Sequence, residues 1–156
     1  MSRHFANDLV LVVALRNRYQ RNSDDTRAEP PAPTLSVPDL HDDHVRADEL
    51  PVDEWLRLAE RLAAEGQYRL AMRACFFSTL NMLSERHVLM IADYKSNREY
   101  EAEVGRRASD RQSLGAVFRS SVARLDRAWY GMRAVTRRDF NQFADQQREM
   151  ANLAEG

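Results

Sequence analysis

The chain has 156 residues, 44% hydrophobic and 30% charged, a composition that suits one folded domain with appendages and excludes two large domains. Its 23 basic and 24 acidic residues give a net charge of -1, which excludes the broad positive field that nucleic-acid backbones require, so we expect no nucleic-acid partner. The single cysteine excludes an internal disulfide and favours a reducing compartment, by default the cytosol.

The N-terminal segment, residues 1–21, combines a short apolar run with a basic flank. The run covers residues 9–15 and is followed by Arg16, Arg18 and Arg21. It is too short for a bilayer-spanning helix, which needs about 20 apolar residues, and no signal-peptide cleavage site follows it. The pattern resembles the inner end of a membrane helix with its cytoplasmic arginines. A short surface helix or strand is the alternative.

Residues 22–47 are predicted to be an acidic, Pro-rich linker, because prolines, small residues and acids replace any sustained apolar period. Within it, His41, Asp42, Asp43 and His44 carry side chains of types that bind metals. No cysteine or further histidine stands nearby to complete a tetrahedral site. We therefore interpret this stretch as solvated linker and expect neither a metal nor another cofactor.

The remaining residues, 48–154, predict an all-α domain of about five helices. The first begins at Pro51, with acids in its first turn, and ends before Gly66, a residue suited to a left-handed stop. The second, residues 67–86, is apolar nearly all round and is therefore expected to be central. The short turn at Gly66 makes the two helices an antiparallel hairpin, the nucleus of the fold.

Three further helices follow a short apolar connector, residues 88–91, which we expect to be buried. Ser96 and Glu99 form a capping box that predicts the start of the third helix. The fourth helix is long and turns over at Gly131, and its apolar seam consists of Leu114, Phe118, Val122, Leu125, Trp129 and Met132. Thr136 repeats the capping pattern for the fifth, whose narrower stripe consists of Phe140, Phe143, Ala144 and Met150.

The predicted domain lacks the groupings typical of an enzyme. Cys75 is interpreted as a small buried hydrophobe, with a reactive thiol as the alternative. His87 lies more than three helical turns farther along a continuous helix, too far for proton transfer to or from that thiol. The glycines are too widely spaced for a phosphate-binding loop. We therefore expect no catalytic residues.

Two short stretches are candidates for contact with a partner, and they contribute Lys95, Asn97, Arg98, Trp129 and Tyr130. The first, residues 95–100, is a helix entrance, where anions and carboxylates bind; a helix cap with Tyr100 packed inward is the alternative. The second is an aromatic pair of the kind that dominates interface energetics; core packing at a helix end is the alternative.

Several motifs follow one another between Ala47 and about Phe143. They are Ala-Asp-Glu-Leu-Pro at 47–51, the tryptophan and leucine of the first helix, Arg-Leu-Ala-Met-Arg-Ala at 69–74, Lys-Ser-Asn-Arg-Glu-Tyr at 95–100 and Trp-Tyr-Gly at 129–131. In this order they resemble the bacterial domain of unknown function four-one-two-nine. The turn at 66–71 also resembles a tetratricopeptide hairpin, but no copy recurs at a period of about 34 residues, which excludes a repeat array.

The resemblance implies a function and a cellular location. Members of that family resemble cytosolic tails that follow a transmembrane helix, and some are the C-termini of transglutaminase-like membrane proteins. It therefore implies a membrane-associated bacterial protein whose domain lies at the cytoplasmic face of the inner membrane, or in the cytoplasm if residues 1–21 do not span, and it supplies no catalytic residues. We expect a non-catalytic domain that binds or tethers a protein partner. The alternative is a small-ligand-binding or enzymatic domain that uses residues 95–100 and Trp129.

Overall fold

Helices dominate residues 36–155, the part of the chain that the computed structural model describes. After a single 3-10 turn at Ala47–Glu49, five α-helices follow: α1 (Val52–Ala64), α2 (Tyr68–Glu85), α3 (Asn97–Arg107), α4 (Gln112–Tyr130) and α5 (Arg137–Glu155). No strand occurs among the described residues, and the prediction of an all-α domain with five helices is confirmed. The predicted membrane remnant at 1–21 and the first part of the predicted linker lie outside the described residues.

Local chemistry accounts for where α1 begins and ends. Pro51 stands directly before the first turn with φ -60°, and acids occupy that turn, where the helix dipole favours them. At the other end Gly66 has φ +78°, the left-handed conformation predicted for it. Its N–H donates to the carbonyl of Ala63 at 3.0 Å, and the N–H of Gln67 donates to that of Leu62 at 2.8 Å. These two bonds reverse the chain and lead directly into α2.

The helix α2 is central to the domain. It contacts α1, α4, α5 and the 3-10 turn. Between ring centroids, Phe77 lies 5.0 Å from Trp55 of α1 and Phe76 lies 5.9 Å from Phe118 of α4. The buried residues of α2 are Ala71, Met72, Ala74, Cys75, Phe76, Phe77, Ser78, Thr79, Leu80 and Leu83. This burial on all sides agrees with the nearly continuous apolar character from which a central position was predicted. Within residues 36–155, no helix has both the length and the apolar character that crossing a membrane requires.

The connector between α2 and α3 is irregular and only partly buried. His87 adopts a positive φ of 60°, and the N–H of Val88 donates to a carbonyl of the last turn of α2 at 2.9 Å, which ends that helix. Val88 and Leu89 enter the core, but Met90 is 58% exposed. The expectation of a buried connector is therefore correct for Val88 and Leu89 and wrong for Met90.

The end of α4 differs from the prediction at Met132. The helix buries Leu114, Phe118, Val122 and Leu125 as its apolar seam predicts. Met132, however, is fully exposed, because α4 ends at Tyr130 and the seam ends with it. The chain turns over at Gly131, as predicted, in an extended conformation with φ -74° and ψ 151°. Glycine is required there because a Cβ would overlap the carbonyl oxygen of Arg127.

The helix α5 begins at the predicted cap and packs against both α2 and α4. The N–H of Asp139 donates to Oγ1 of Thr136 at 3.2 Å, and the N–H of Thr136 donates to the Asp139 carboxylate at 2.9 Å. In the buried stripe of α5, Gln147 accepts a hydrogen bond from the hydroxyl of Thr79 at 2.6 Å and donates one to Ser121 at 2.6 Å. This amide joins α2, α4 and α5 through satisfied buried polar groups.

The described residues upstream of Ala47 pack against the helices. Leu40 is 5% exposed and belongs to the same core as Phe77. Arg73 of α2 donates hydrogen bonds to the carbonyls of Leu40 and Asp42, the second at 3.1 Å. Packed structure therefore begins earlier than the predicted start at residue 48. One leucine among prolines and acids has no apolar period that would reveal this packing.

Candidate interaction surface

Lys95, one of the predicted contact residues, is engaged inside the domain. Its Nζ donates to Oε2 of Glu103 at 2.5 Å and to the carbonyl of Met90 at 2.6 Å. Only 14% of the lysine side chain and 5% of the glutamate side chain are exposed. Lys95 therefore neutralises a carboxylate of its own chain instead of presenting its charge to an external anion.

Glu103 is the acceptor that organises this cluster. Besides Lys95, the N–H of Met90 donates to its Oε1 at 2.9 Å, and Nε of Arg107 lies 3.2 Å from the same oxygen. Burial acts to raise the pKa of this carboxyl, but the hydrogen bonds from Lys95 and Met90 outweigh burial and hold the pKa below its usual value. The ionised carboxylate thus ties the connector to α3.

The start of α3 has the geometry of the helix-cap alternative. Oγ of Ser96 accepts a hydrogen bond from the N–H of Glu99 at 3.3 Å, and the N–H of Ser96 donates to the Glu99 carboxylate at 2.6 Å. Tyr100 is buried, and its hydroxyl donates to the carbonyl of Ala92 at 3.2 Å. These contacts give residues 95–100 a structural task at the entrance of the helix.

The two remaining polar candidates of that stretch have different surroundings. Asn97 is half-buried, and its Nδ2 donates to the carboxylate of Asp126 on α4 at 3.4 Å. Arg98 is exposed. The stretch therefore offers one exposed cation, Arg98, and two side chains, Lys95 and Asn97, that hold helices together.

The aromatic pair at the end of α4 is divided between the interior and the surface. Trp129 is half-buried, and the guanidinium carbon of Arg73 lies 4.8 Å from the centroid of its ring and 5.2 Å from that of Phe77. Tyr130 is 80% exposed. Trp129 therefore has the packing role at the helix end, while Tyr130 projects from the domain.

Arg73 joins three parts of the molecule. Its planar guanidinium contacts the rings of Phe77 and Trp129 and hydrogen bonds to the carbonyls of Leu40 and Asp42. Burial lowers the pKa of this arginine, although nearby acidic groups act in the opposite direction. Because an arginine titrates far above neutral pH, the side chain stays charged and fixes the upstream segment to both α2 and the end of α4.

A cleft of about 580 Å³ opens beside the chain reversal that follows Tyr130. It lies between the end of α4 and the start of α5. Its apolar lining includes Met72 from α2, Ala128 from α4 and Val135 from the connecting loop. Met132, fully exposed, also lines it. The cleft thus combines an apolar lining with a large exposed apolar side chain.

Three arginines and one aspartate are the charged residues that line this cleft. Arg124 donates to Oε1 of Gln142 at 3.1 Å, and Nη2 of Arg133 lies 3.8 Å from Oδ1 of Asp139. The side chain of Arg127 is exposed and forms no hydrogen bond or ion pair with any residue of the described range. The charged lining therefore carries a formal excess of positive charge, with one guanidinium that has no internal carboxylate.

Sequence reasoning missed this cleft, although a local signal was present. Between Arg119 and Arg138 the chain has six arginines and a single acid, Asp126. The near-neutral total charge conceals this imbalance. The cleft itself depends on α4, α5 and Met72 meeting in space, which no local periodicity predicts.

The other residues considered for metal binding or thiol chemistry lie in turns or in the core. His41 and His44 occupy turns in which their N–H groups donate to the carboxylates of Asp39 and Asp42, at 3.0 and 2.9 Å. Across the described range, no group of three or more histidine, cysteine, aspartate and glutamate side chains could hold a metal ion. Cys75 is buried, and burial raises the pKa of its thiol to about 12.

Comparison of the chain with family models, with curated proteins and with solved structures finds no match. A functional proposal therefore depends on the geometry of the described residues and on the motifs of the sequence.

Proposed function

We propose that residues 36–155 form a non-catalytic protein-binding domain that contacts its partner at the junction of α4 and α5. One observation carries the proposal: Tyr130 and Met132 are both exposed, and they flank the reversal beside the cleft. Tyrosine and methionine are enriched at protein interfaces, tyrosine because it offers a rigid amphipathic ring and methionine because it adapts to irregular surfaces.

The cleft makes this junction a better contact surface than two exposed side chains alone. Burying one methionine-sized side chain contributes about 1.5–3 kcal/mol, which association costs of about 4–15 kcal/mol exceed. A stable complex therefore has to cover more surface, typically about 800 Å² on each partner. A partner seated on Tyr130 and Met132 that also enters the cleft gains this additional contact.

We further propose that this is the cytosolic, tethering domain of a membrane-associated bacterial protein, at the inner face of the membrane. Support comes from the resemblance to the domain of unknown function four-one-two-nine and from the way the chain enters the domain. Arg73 fixes the segment at Leu40 to α2 and to Trp129 at the end of α4. A tether that enters there is connected to the helix that presents Tyr130.

A small-ligand-binding or enzymatic role for residues 95–100 is the weaker proposal. The ammonium group of Lys95 is already bound to Glu103 and to the Met90 carbonyl, which leaves Arg98 as the exposed cation of this stretch.

Affinity capture with the full chain, from a lysate of the organism that encodes it, tests the proposed function. The test variant combines Tyr130→Ser with Met132→Ser. The matched control combines Tyr94→Ser with Met90→Ser, because these residues are also an exposed tyrosine and an exposed methionine but lie in the connector before α3.

We expect one or more specific proteins to be recovered with the wild type and the control and to be lost with the test variant. Recovery that persists in the test variant, or no specific recovery with the wild type, would contradict the proposed function.

A further inference from the structure

We propose that the occupant of the cleft between α4 and α5 is an acidic peptide segment of a partner protein, with an aliphatic side chain next to its carboxylates. The inference rests on the proposed function and specifies the chemistry of the partner. It is supported by one observation: in this cleft an apolar lining lies beside three arginines. The apolar residues are Met72, Ala128 and Val135, and the arginines are Arg124, Arg127 and Arg133.

The arginines determine the sign of the partner's charge. Arg124 and Arg127 are three residues apart in α4, so they lie on one face of the helix and both line the cleft. Arg124 uses part of its donor capacity on Gln142, and Arg127 bonds to no residue within 36–155. A planar guanidinium has five N–H donors in a fork that matches a carboxylate, so these two side chains provide unused donors for acidic groups.

The apolar lining of the cleft favours a peptide that carries an aliphatic side chain next to its carboxylates. Met72 is buried and belongs to the central helix, while Ala128 and Val135 are partly buried and pack against the same core. A volume of about 580 Å³ lies in the range of pockets that enclose small ligands, about 300–1,000 Å³, and exceeds what a single carboxylate fills. An aliphatic side chain that enters the cleft removes both its own surface and this lining from water.

Charge and shape together favour a peptide over a nucleic acid or an anionic membrane. Phosphate backbones and lipid headgroups present repeated charge to a broad basic surface, whereas this chain has a net charge of -1. Asp139 also lines the cleft, and hydrogen bonds from Thr136 hold its pKa below the usual value, so it repels phosphates there. Carboxylates that alternate with aliphatic residues along a peptide can reach Arg124 and Arg127 without all facing Asp139.

Titration of the ¹⁵N-labelled full chain with synthetic peptides, followed by amide chemical shifts, tests the inference. The probe is a short Gly/Ser peptide with the central sequence Asp-Leu-Glu-Leu-Asp. Comparison peptides replace the acids by their amides or the leucines by serine. Oligothymidylate and phosphatidylglycerol vesicles are the other probes, since they represent the two competing classes of anionic partner.

We expect saturable shifts at the end of α4 and the start of α5 with the acidic leucine peptide, and at least about tenfold weaker binding of each comparison peptide. Arg127→Gln and the double variant with Arg124→Glu and Arg127→Glu should weaken binding, the double variant by about tenfold or more. Because the Arg127 side chain has no partner inside the domain, its replacement leaves the fold intact, which the dispersion of the same spectrum verifies. The matched control is Arg106→Glu on α3, another exposed arginine, which should leave binding unchanged.

The inference is overturned if the acidic leucine peptide gives no saturable shift at about 1 mM, if the amide peptide binds equally well, or if the double variant binds like the control. Tighter binding of oligothymidylate or of the vesicles at the same residues would overturn it in favour of that class. Any of these results together with a partner captured through Tyr130 and Met132 would leave the proposed function standing. A positive titration without a captured partner would leave the inferred peptide chemistry standing and contradict the proposed function.

Discussion

Arg73 illustrates how one side chain can connect segments that the sequence keeps apart. It lies in α2, bonds to carbonyls about thirty residues upstream and contacts the ring of Trp129 far downstream. A sequence pattern offers no sign of this role, because an arginine on an otherwise apolar helix usually indicates its solvent-facing side. The apolar stems and planar heads of arginines allow them to pack as well as to carry charge.

Replacing Arg73 by glutamine should lower the free energy of unfolding by about 2–3 kcal/mol, because it removes two hydrogen bonds to carbonyls and the contact with two rings. Chemical denaturation of the full chain measures this loss. Arg69→Gln, one turn earlier at an exposed position, is the control and should change stability by less than about 0.5 kcal/mol. Equal stability of the two variants would refute the role assigned to Arg73.

Cys75 should be chemically silent in the folded protein. Burial raises the pKa of its thiol to about 12, whereas a free thiol has a pKa of about 8.5, so at pH 8 the reactive thiolate is present mainly in unfolded molecules. Labelling with a disulfide reagent should be at least about a hundredfold slower in buffer than in denaturant. Rapid labelling of the native chain would contradict the burial of α2.

The same raised pKa determines the sign of a pH dependence. The buried thiol stabilises the fold in its protonated form, so its contribution is complete below about pH 8.5 and is lost as the pH rises toward about 12. The unfolding free energies of the wild type and of Cys75→Ala can be measured between pH 7 and pH 10. The difference between the two proteins should be smaller at pH 10 than at pH 7.

At the scale of the elements, both ends of the connector between α2 and α3 depend on unusual local chemistry. The helix α2 ends at a residue in the left-handed conformation, as α1 does, but that residue is His87 instead of glycine. The sequence showed the stop at Gly66 because glycine adopts positive φ without penalty. It did not show the stop at His87, because a histidine there carries no such signal.

His87→Gly should stabilise the domain by about 0.5–1 kcal/mol, since the left-handed conformation costs a residue with a Cβ about 1–2 kcal/mol and glycine loses part of this gain in chain entropy. Gly66→Ala should destabilise it by about 1 kcal/mol for the same reason, even though the space around Gly66 is open. Thermal unfolding of the two variants in parallel measures both signs. Shifts of the same sign would be incompatible with the two backbone conformations.

Glu103 fixes the other end of the connector. Glu103→Ala should lower the free energy of unfolding by about 3 kcal/mol, because it leaves the largely buried Lys95 and the N–H of Met90 without their acceptor. Hydrogen exchange should show faster exchange at the Met90 amide. Since the pKa of Glu103 is lowered, its contribution is present at neutral pH and is lost as the pH falls below 4.5, the ordinary pKa of a glutamate, and through the lower pKa of Glu103 in the fold.

The control for that experiment is Glu101→Ala. Glu101 pairs with Arg119 at 3.3 Å, but that arginine side chain is 71% exposed, so the pair is expected to contribute less than about 1 kcal/mol. A loss for Glu103→Ala no larger than for Glu101→Ala would show that the cluster around Lys95 does not hold the connector.

At the scale of the whole molecule, the parts of the fold that could be predicted are those set by local chemistry. Pro51, Gly66, Ser96 and Thr136 mark helix ends through their own backbone preferences or hydrogen bonds, and the apolar character of α2 predicts its central position. Each of these signals lies within a few residues of the feature it predicts. That is why the number and order of the helices followed from the sequence.

The candidate site could be predicted only in part. The residue type of Tyr130 predicts a contact residue, and Tyr130 is exposed. The sequence does not reveal the arginines of the cleft, because Arg124 and Arg127 look like an ordinary solvated helix face until α5 is placed beside them. The position of Lys95 at a helix entrance predicts a contact residue, but its charge is neutralised by Glu103 eight residues later. Contacts formed in the folded domain thus determine which polar side chains remain available to a partner.

The most direct test of the account is site-specific photo-crosslinking in cells that express the full chain. A benzophenone amino acid replaces Met132 beside the cleft or, as the control, Arg106 on α3, and both positions are exposed. We expect a discrete crosslinked protein from position 132 that is reduced when Arg124→Glu and Arg127→Glu are added, and none from position 106. Crosslinks of equal yield and identity from both positions, or none from position 132, would contradict the proposed contact at the cleft.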